Sequence, residues 1–107
     1  MAFQVSVFAE NKPGKIERIT KILAENTINI RAITISDSGD YGIIKLLLDR
    51  PEDGCDCLQK QGIAATLKEI VAVKMDDRPG GLYNVARIIR EGGINVEDAY
   101  GFILESG

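Results

Sequence analysis

The feature that most constrains the fold of this chain is an internal repeat. Residues 3–32 and 69–98 align without a gap when one is shifted by about 66 positions. The best-matched stretches are Val5–Val7 with Val71–Val73, Asn11–Gly14 with Asp77–Gly80, and Ile28–Ile30 with Ile94–Val96. Each copy contains a Pro-Gly turn. The repeat therefore predicts either two similar sites or a pseudo-symmetric pair that builds one site between its halves.

Composition and charge favour a folded protein that binds neither nucleic acid nor membranes. The chain is 45% hydrophobic and 27% charged, which is typical of globular proteins. Its net charge is −3 and it has no Lys/Arg cluster, which argues against nucleic acid and anionic lipid as partners. No apolar run reaches the roughly 18 residues of a membrane span, and no signal pattern is visible at the N-terminus. We expect a cytoplasmic location.

The residue types needed for common catalytic and metal sites are missing. Histidine is absent, and the two cysteines, Cys55 and Cys57, have no further ligands nearby in sequence. We expect no metal, no cofactor and no enzymatic activity. Acylphosphatase chemistry would need an arginine-rich phosphate loop, whereas the turns offer Lys12 and Arg78. RNA binding would need exposed aromatic residues, such as Phe8 and Tyr41, on a basic surface.

Hydrophobic periodicity predicts the order of the secondary-structure elements. Ile16, Ile19, Ile22 and Leu23 recur at helical spacing after the first Pro-Gly turn, and Asn26 and Gly92 are predicted helix stops. The predicted strands are Phe3–Ala9, Ile28–Ser36, Tyr41–Leu48, Ala64–Met75 and Ile94–Leu104, with a hairpin turn at 37–40 and further helices at Pro51–Gln61 and Gly80–Glu91.

This order predicts an α+β fold, a ferredoxin-like βαββαβ plait with an antiparallel sheet and two helices on one face. Residues 1–68 form a complete first module, and residues 69–107 form an incomplete second copy with the order βαβ. Either a longer chain or another molecule supplies the missing elements. The second apolar face of the third strand is expected to be an interface.

The Pro-Gly turns are the candidate functional feature. A helix that begins directly after a tight turn presents unpaired backbone N–H groups, which bind a carboxylate or phosphate. Gly14 and Gly80 allow a ligand to approach the backbone, and the absence of a nucleotide-binding glycine pattern favours a small carboxylate. Ordinary turn structure is the alternative reading.

Polar residues beside the turns extend this hypothesis. Asn29 and Asn95, which open the second strand of each copy, either bind a zwitterion through their amides or satisfy local backbone groups. Asn11 and Asp77 lie two residues before each proline. We expect them to cap their helices rather than to contact a ligand ammonium.

Several of these strings resemble the ACT domain, a small regulatory module that binds amino acids in enzymes such as phosphoglycerate dehydrogenase and aspartokinase. The resemblance rests on residues 10–16, 22–26, 28–32, 76–82 and 92–96 and covers essentially the whole chain, as a free-standing tandem ACT protein. It implies that modules pair side by side into an eight-stranded sheet, with ligand at the seam between them. Asp77 departs from the amide found in serine-binding members and favours an ammonium contact or a cap. The histidine of those members is absent, so serine specificity is not implied.

The sequence therefore predicts a non-catalytic regulatory sensor that binds a free amino acid at the interface between ACT-like modules. The predicted ligand-binding residues are Asn11, Pro13, Gly14, Lys15, Ile16, Asn29, Asp77, Gly80, Gly81, Leu82 and Asn95. We expect a homodimer or higher homo-oligomer and an enzyme of amino-acid metabolism as partner. The alternative is a ligand-free oligomerisation module that mediates protein assembly.

Overall fold

The computed structural model describes residues 2–96 and 99–101. The chain divides into two compact units, residues 1–71 and 72–107. The boundary between residues 68 and 69 that the repeat suggests stays a prediction. The helices within the described ranges are too short and too polar to cross a bilayer.

Unit 1 has the predicted βαββαβ order. Its elements are β1 (Ala2–Glu10), α1 (Lys15–Glu25), β2 (Ile30–Ser38), β3 (Tyr41–Leu48), α2 (Pro51–Lys60) and β4 (Ala64–Ile70). The sheet order is β2-β3-β1-β4, and each neighbouring pair is antiparallel. The ferredoxin-like fold class is therefore confirmed, with β2 and β4 as the edge strands.

The core lies between the sheet and the two helices. Alternate residues of β1 point to this side, and Val5 and Val7 are fully buried there. Residues 2–38 and residues 41–70 are two β-α-β halves, and both contribute to the core. The first half contributes Val5, Val7, Ile19, Ile22, Leu23 and Ile28, and the second contributes Ile44, Leu46, Leu48, Cys55, Leu58 and Ala65.

The predicted fourth strand, Ala64–Met75, is too long. β4 ends at Ile70, which pairs with Ala2, the first residue of β1. A strand needs a neighbour for its backbone hydrogen bonds, and here the neighbour begins at that point. The alternating residues beyond Ile70 therefore leave the ladder. The second predicted strand also shifts, from Ile28–Ser36 to Ile30–Ser38.

The predicted helix stops, Asn26 and Gly92, are confirmed as C-cap residues, but the left-handed conformation expected of them is displaced by one residue. Asn26 and Gly92 follow α1 and the third helix without a left-handed conformation, with φ of −96° and −79°. The positive φ belongs instead to the next residue, Thr27 at 58° and Gly93 at 71°. At the first of these exits Arg50 donates hydrogen bonds of 2.9 Å to the carbonyl oxygens of Asn26 and Thr27. This contact stabilises the left-handed conformation of Thr27, which threonine rarely adopts at the end of a helix.

Unit 2 contains α3 (Gly81–Glu91). The strand predicted at Ile94–Leu104 is absent from the described residues 94–96 and 99–101, and its remainder lies outside the described residues. Val71, the last residue of unit 1, and Val73 and Met75 of unit 2 are exposed, although they alternate as strand residues do. Within the described ranges, residues 71–75 have no neighbouring strand to pair with. They therefore do not form a strand, although their sequence alternates as a strand does.

Removing a core side chain should destabilise unit 1 strongly. Leu23→Ala removes a fully buried side chain of α1 and should lower the free energy of unfolding by about 2–5 kcal/mol. Urea denaturation followed by far-UV circular dichroism measures the change. Glu25→Ala, on the exposed side of the same helix, should change it by less than about 0.5 kcal/mol. Equal effects of the two substitutions would contradict the assigned core.

Candidate functional site

The first Pro-Gly turn connects β1 to α1 and is held by the β2–β3 hairpin. The N–H of Asn11 donates to the carbonyl of Asp40 at 2.8 Å, and its side-chain amide donates to the carbonyl of Gly39 at 3.4 Å. The residue at the helix N-cap is Gly14, without a side-chain cap. The predicted capping role of Asn11 is therefore wrong, because the hairpin engages its amide.

The start of α1 presents unpaired amides at the surface. Lys15 N–H donates to the Lys12 carbonyl at 3.3 Å, and Arg18 N–H donates to the Gly14 carbonyl at 3.0 Å. Within the described part of the chain, the amides of Gly14, Ile16 and Glu17 have no acceptor. A Cβ at Gly14 would meet no atom within 4 Å. The space over these amides is open, as an anion-binding helix start requires.

The second turn repeats this geometry. Gly81 N–H donates to the Arg78 carbonyl and Asn84 N–H donates to the Gly80 carbonyl, both at 3.0 Å. The φ and ψ angles of Gly80, 87° and −7°, match those of Gly14, 88° and −9°. Asp77 does not cap α3, whose N-cap is Gly80, so its predicted capping role is also wrong. The two turns therefore have nearly the same backbone conformation.

The second turn is more tightly packed than the first at one position. A Cβ at Gly81 would overlap the carbonyl oxygen of Asp76, whereas Lys15 occupies the equivalent position in the first turn. Leu82, the counterpart of Ile16, is exposed at the surface. Its amide, like that of Ile16, has no acceptor among the described residues.

An ion pair flanks each turn. Lys12 Nζ lies 2.7 Å from Glu10 Oε2, and Arg78 Nη2 lies 3.1 Å from Asp76 Oδ2. The hydrogen bond from Lys12, together with its charge, lowers the pKa of Glu10, and the same contact raises the pKa of Lys12. Because the Lys12 charge is engaged by Glu10, the positive potential at the first turn comes from the backbone amides together with Lys15, whose charge also lowers the pKa of Glu10.

Asn29 lies at the other end of α1. Its N–H donates to Asp49 Oδ1 at 3.0 Å, and its carbonyl accepts from Asp49 N–H at 3.1 Å. Its side-chain amide is exposed and has no hydrogen bond to the described residues. The local backbone is thus satisfied by Asp49, a residue that the sequence analysis missed, and the Asn29 side chain faces solvent. Asn95 is likewise exposed.

The predicted site residues fall into separate groups. Asn11, Pro13, Gly14, Lys15 and Ile16 belong to one turn. The eleven residues of α1 separate this turn from Asn29 by about 16 Å, so one small ligand cannot contact both within unit 1.

The edge strand β2 carries exposed apolar side chains beside these groups. Ile33 and Ile35 pair with Leu46 and Ile44, which point toward the helices, and therefore lie on that face of the sheet. They are 43% and 55% exposed, and Ile16 of α1 is 38% exposed. An edge strand with exposed isoleucines can pair with another strand.

Two surface depressions of unit 1 are lined by residues outside the first turn. One, of about 290 Å³, is lined by Ser6, Val7, Phe8, Ile43, Ala64, Ala65 and Thr66. The other, of about 350 Å³, is lined by Glu52, Cys55, Asp56, Gln59, Thr66 and Leu67. Beside the first depression, Phe8 and Tyr41 stack with ring centroids 5.2 Å apart. These aromatic rings contact each other on the sheet face opposite the helices, where Ile43 is also exposed.

Comparison with known proteins identifies the family. The ACT domain pair family matches residues 1–107. The chain belongs to the ACT domain family. ACT domains are regulatory modules rather than catalytic ones, so membership supports a regulatory, ligand-binding role in general. Among proteins with curated descriptions, none matches the chain.

Solved structures share this ACT fold. Protein BT0572 from Bacteroides thetaiotaomicron is 29% identical with a TM-score of 0.90, over 95% of this chain and 71% of that one. The ligand-free regulatory subunit of aspartate kinase from Thermus thermophilus is 18% identical with a TM-score of 0.67, over 94% and 76%. The aspartokinase α and β subunits are 17% identical with a TM-score of 0.63, over 94% and 75%.

The left-handed glycines of the turns should resist substitution. Gly14→Ala places a Cβ in a left-handed conformation, which should destabilise unit 1 by about 1–2 kcal/mol. Gly14→Asn should cost less, because asparagine tolerates this conformation better. Urea denaturation of both variants measures the difference. If alanine and asparagine were equally destabilising, contacts rather than backbone conformation would explain the glycine.

Proposed function

We propose that this ACT protein is a regulatory module that binds a free amino acid where unit 1 meets a neighbouring ACT module. The observation that supports this most directly is the group of open amides at Gly14, Ile16 and Glu17. A carboxylate placed over them accepts hydrogen bonds from the backbone and lies at the positive end of the α1 dipole.

A neighbouring module supplies the second half of the proposed site. The Asn29 amide can accept from the ligand ammonium and donate to its carboxylate. It lies too far from the turn of its own module, because α1 stands between them. We infer that the Asn29 side chain of one module and the Pro-Gly turn of another hold the same amino acid.

Pairing along β2 brings these groups together. The end of β2 leads into the hairpin at Gly39 and Asp40, which is hydrogen-bonded to Asn11 of the turn. When two β2 strands pair in antiparallel fashion, the start of each lies beside the end of the other. Asn29, just before β2, then comes close to the neighbour's hairpin and turn. The exposed Ile33 and Ile35 favour this pairing.

Ligand binding in such a site is coupled to assembly. An amino acid that contacts two modules stabilises the paired arrangement relative to the unpaired one, and the pairing raises amino-acid affinity by the same factor. We propose that this change in assembly is what a partner enzyme of amino-acid metabolism detects. The shared fold of the aspartate kinase regulatory subunit is consistent with such a partner.

Deleting one backbone donor should weaken amino-acid binding. Ile16→Pro removes an N–H that has no acceptor in the described chain, and proline is tolerated in the first helical turn. The loss of a hydrogen bond to a carboxylate should raise Kd about ten-fold or more. Isothermal titration with the amino acid that most raises Tm in a screen measures this. Ile16→Ala, which keeps the N–H, is the matched control and should bind more tightly than Ile16→Pro.

The ligand itself provides a second control. The corresponding amino-acid amide lacks the carboxylate charge and should bind far more weakly than the free amino acid. If no amino acid raises Tm at millimolar concentration, the receptor role is wrong. Self-association that persists without any effect of amino acids would favour the alternative role in ligand-free assembly, for which the exposed β2 edge is the supporting observation.

Charging the β2 edge should impair assembly and binding together. Ile35→Lys places a cation at the proposed seam and should raise the amino-acid Kd about ten-fold or more while abolishing any ligand-dependent gain in mass. Light scattering after size exclusion measures the mass. Leu67→Lys, on the opposite edge strand β4, is the control because Leu67 is 40% exposed and lies away from the seam. Equal losses in the two variants would argue against a seam at β2.

A further inference from the structure

The carboxylate of Asp49 lies beside Asn29, which carries the second half of the proposed site. Its Oδ1 accepts the N–H of Asn29 at 3.0 Å, and the Asp49 N–H donates to the Asn29 carbonyl at 3.1 Å. These two contacts join the residue after β3 to the residue before β2 and fix the position of the carboxylate. Its second oxygen, Oδ2, accepts no hydrogen bond from a described residue.

The negative charge of Asp49 is not neutralised within the described part of the chain. The guanidinium of the neighbouring Arg50 is engaged elsewhere. It donates to the carbonyl oxygens of Asn26 and Thr27 at 2.9 Å and to Asp53 Oδ2 at 3.0 Å. Asp49 is exposed and forms no ion pair with a described residue. Its carboxylate is therefore available to a cation from outside the module.

A free amino acid in this site needs a negative group for its ammonium. The open amides of the Pro-Gly turn complement the ligand carboxylate, whereas the side-chain amide of Asn29 is neutral. A carboxylate accepts a hydrogen bond from an ammonium group more strongly than a neutral amide oxygen does. Asp49 Oδ2, next to Asn29, supplies that charge. The two modules then offer opposite charges to the two ends of a zwitterion.

We propose that Asp49 Oδ2 binds the ammonium group of the amino acid, beside the side chain of Asn29. This contact makes Asp49 a specificity-determining residue, which selects amino acids over carboxylic acids that lack an amine. The inference rests on the proposed function, because the carboxylate of the same ligand lies over the Pro-Gly turn of the neighbouring module.

Asp49 also makes assembly depend on the amino acid. Pairing along β2 removes water from the groups at the start of the strand, and a carboxylate that loses water without a partner is destabilised. The ligand ammonium offsets this loss, so the paired arrangement is favoured when the amino acid is bound. The starts of two antiparallel β2 strands lie at opposite ends of the seam, so each Asp49 binds its own ligand.

The substitution Asp49→Asn tests the contact in the 107-residue chain. Asparagine keeps an oxygen that can accept the N–H of Asn29, but it removes the charge. Isothermal titration uses the one of the twenty common amino acids that most raises Tm, and the 2-hydroxy acid with the same side chain. We expect Asp49→Asn to raise Kd for the amino acid about ten-fold or more. Kd for the hydroxy acid, which has no ammonium group, should not rise.

Glu52→Gln is the matched control for the loss of one negative charge. Glu52 is exposed in the first turn of α2, three positions from Asp49, and this variant should bind the amino acid as the wild type does. The wild type provides a test that does not depend on the folding of any variant. It should bind the amino acid at least about ten-fold more tightly than the hydroxy acid, and equal affinities would overturn the role of Asp49.

Sedimentation equilibrium gives a second measurement, which a purely structural role of Asp49 would not produce. Without amino acid, Asp49→Asn should associate more readily than the wild type, because the unpaired charge is gone from the seam. Added amino acid should then raise its mass less than it raises that of the wild type. Weaker association of the ligand-free variant would contradict this account.

The outcomes separate this inference from the proposed function. If the wild type binds an amino acid and Asp49→Asn binds it equally tightly, the role of Asp49 is wrong and the amino-acid site stands. If none of the twenty amino acids binds the wild type, the site and the role of Asp49 are wrong together.

Discussion

Burial of the central strand β1 is the constraint on which the rest of unit 1 depends. β1 pairs with β3 on one side and with β4 on the other, and it places Val5 and Val7 under both helices. Each neighbouring element is positioned relative to it, including the length of β4, which stops where β1 begins. The hairpin that holds the Pro-Gly turn is likewise fixed by the register of β1 with β3, whose last pair is Glu10 with Tyr41.

Local sequence patterns predicted the order of the elements well because each depends on a short-range periodicity. The bounds of β3 agree with the prediction, since Tyr41–Leu48 is bordered by a turn and a proline. The end of β4 could not be predicted from local sequence patterns. Residues 71–75 have the alternation of a strand, but a strand forms only where a partner supplies hydrogen bonds, and that partner is not encoded nearby.

In the candidate site too, features set by neighbouring residues were predicted, whereas contacts between residues far apart in the sequence were not. The open amides follow from a helix that begins after a Pro-Gly turn, and the sequence predicted them. The hydrogen bonds of Asn11 and Asn29 were not predicted from the sequence. Asn11 is engaged by Gly39 and the backbone of Asn29 is satisfied by Asp49, and both contacts join residues at least twenty positions apart. Residue type and spacing do not reveal such partners, so capping was predicted for Asn11, whose amide instead makes a long-range contact.

The backbone angles at Gly14 and Gly80 agree to within about 2°, and this agreement bears on how the two repeats differ. Beside one glycine stands the neutral Asn11, and beside the other stands the anionic Asp77. Nearly the same backbone shape is thus combined with different side-chain charge at the two turns. The two copies thus share the conformation of the turn and differ in the charge beside it.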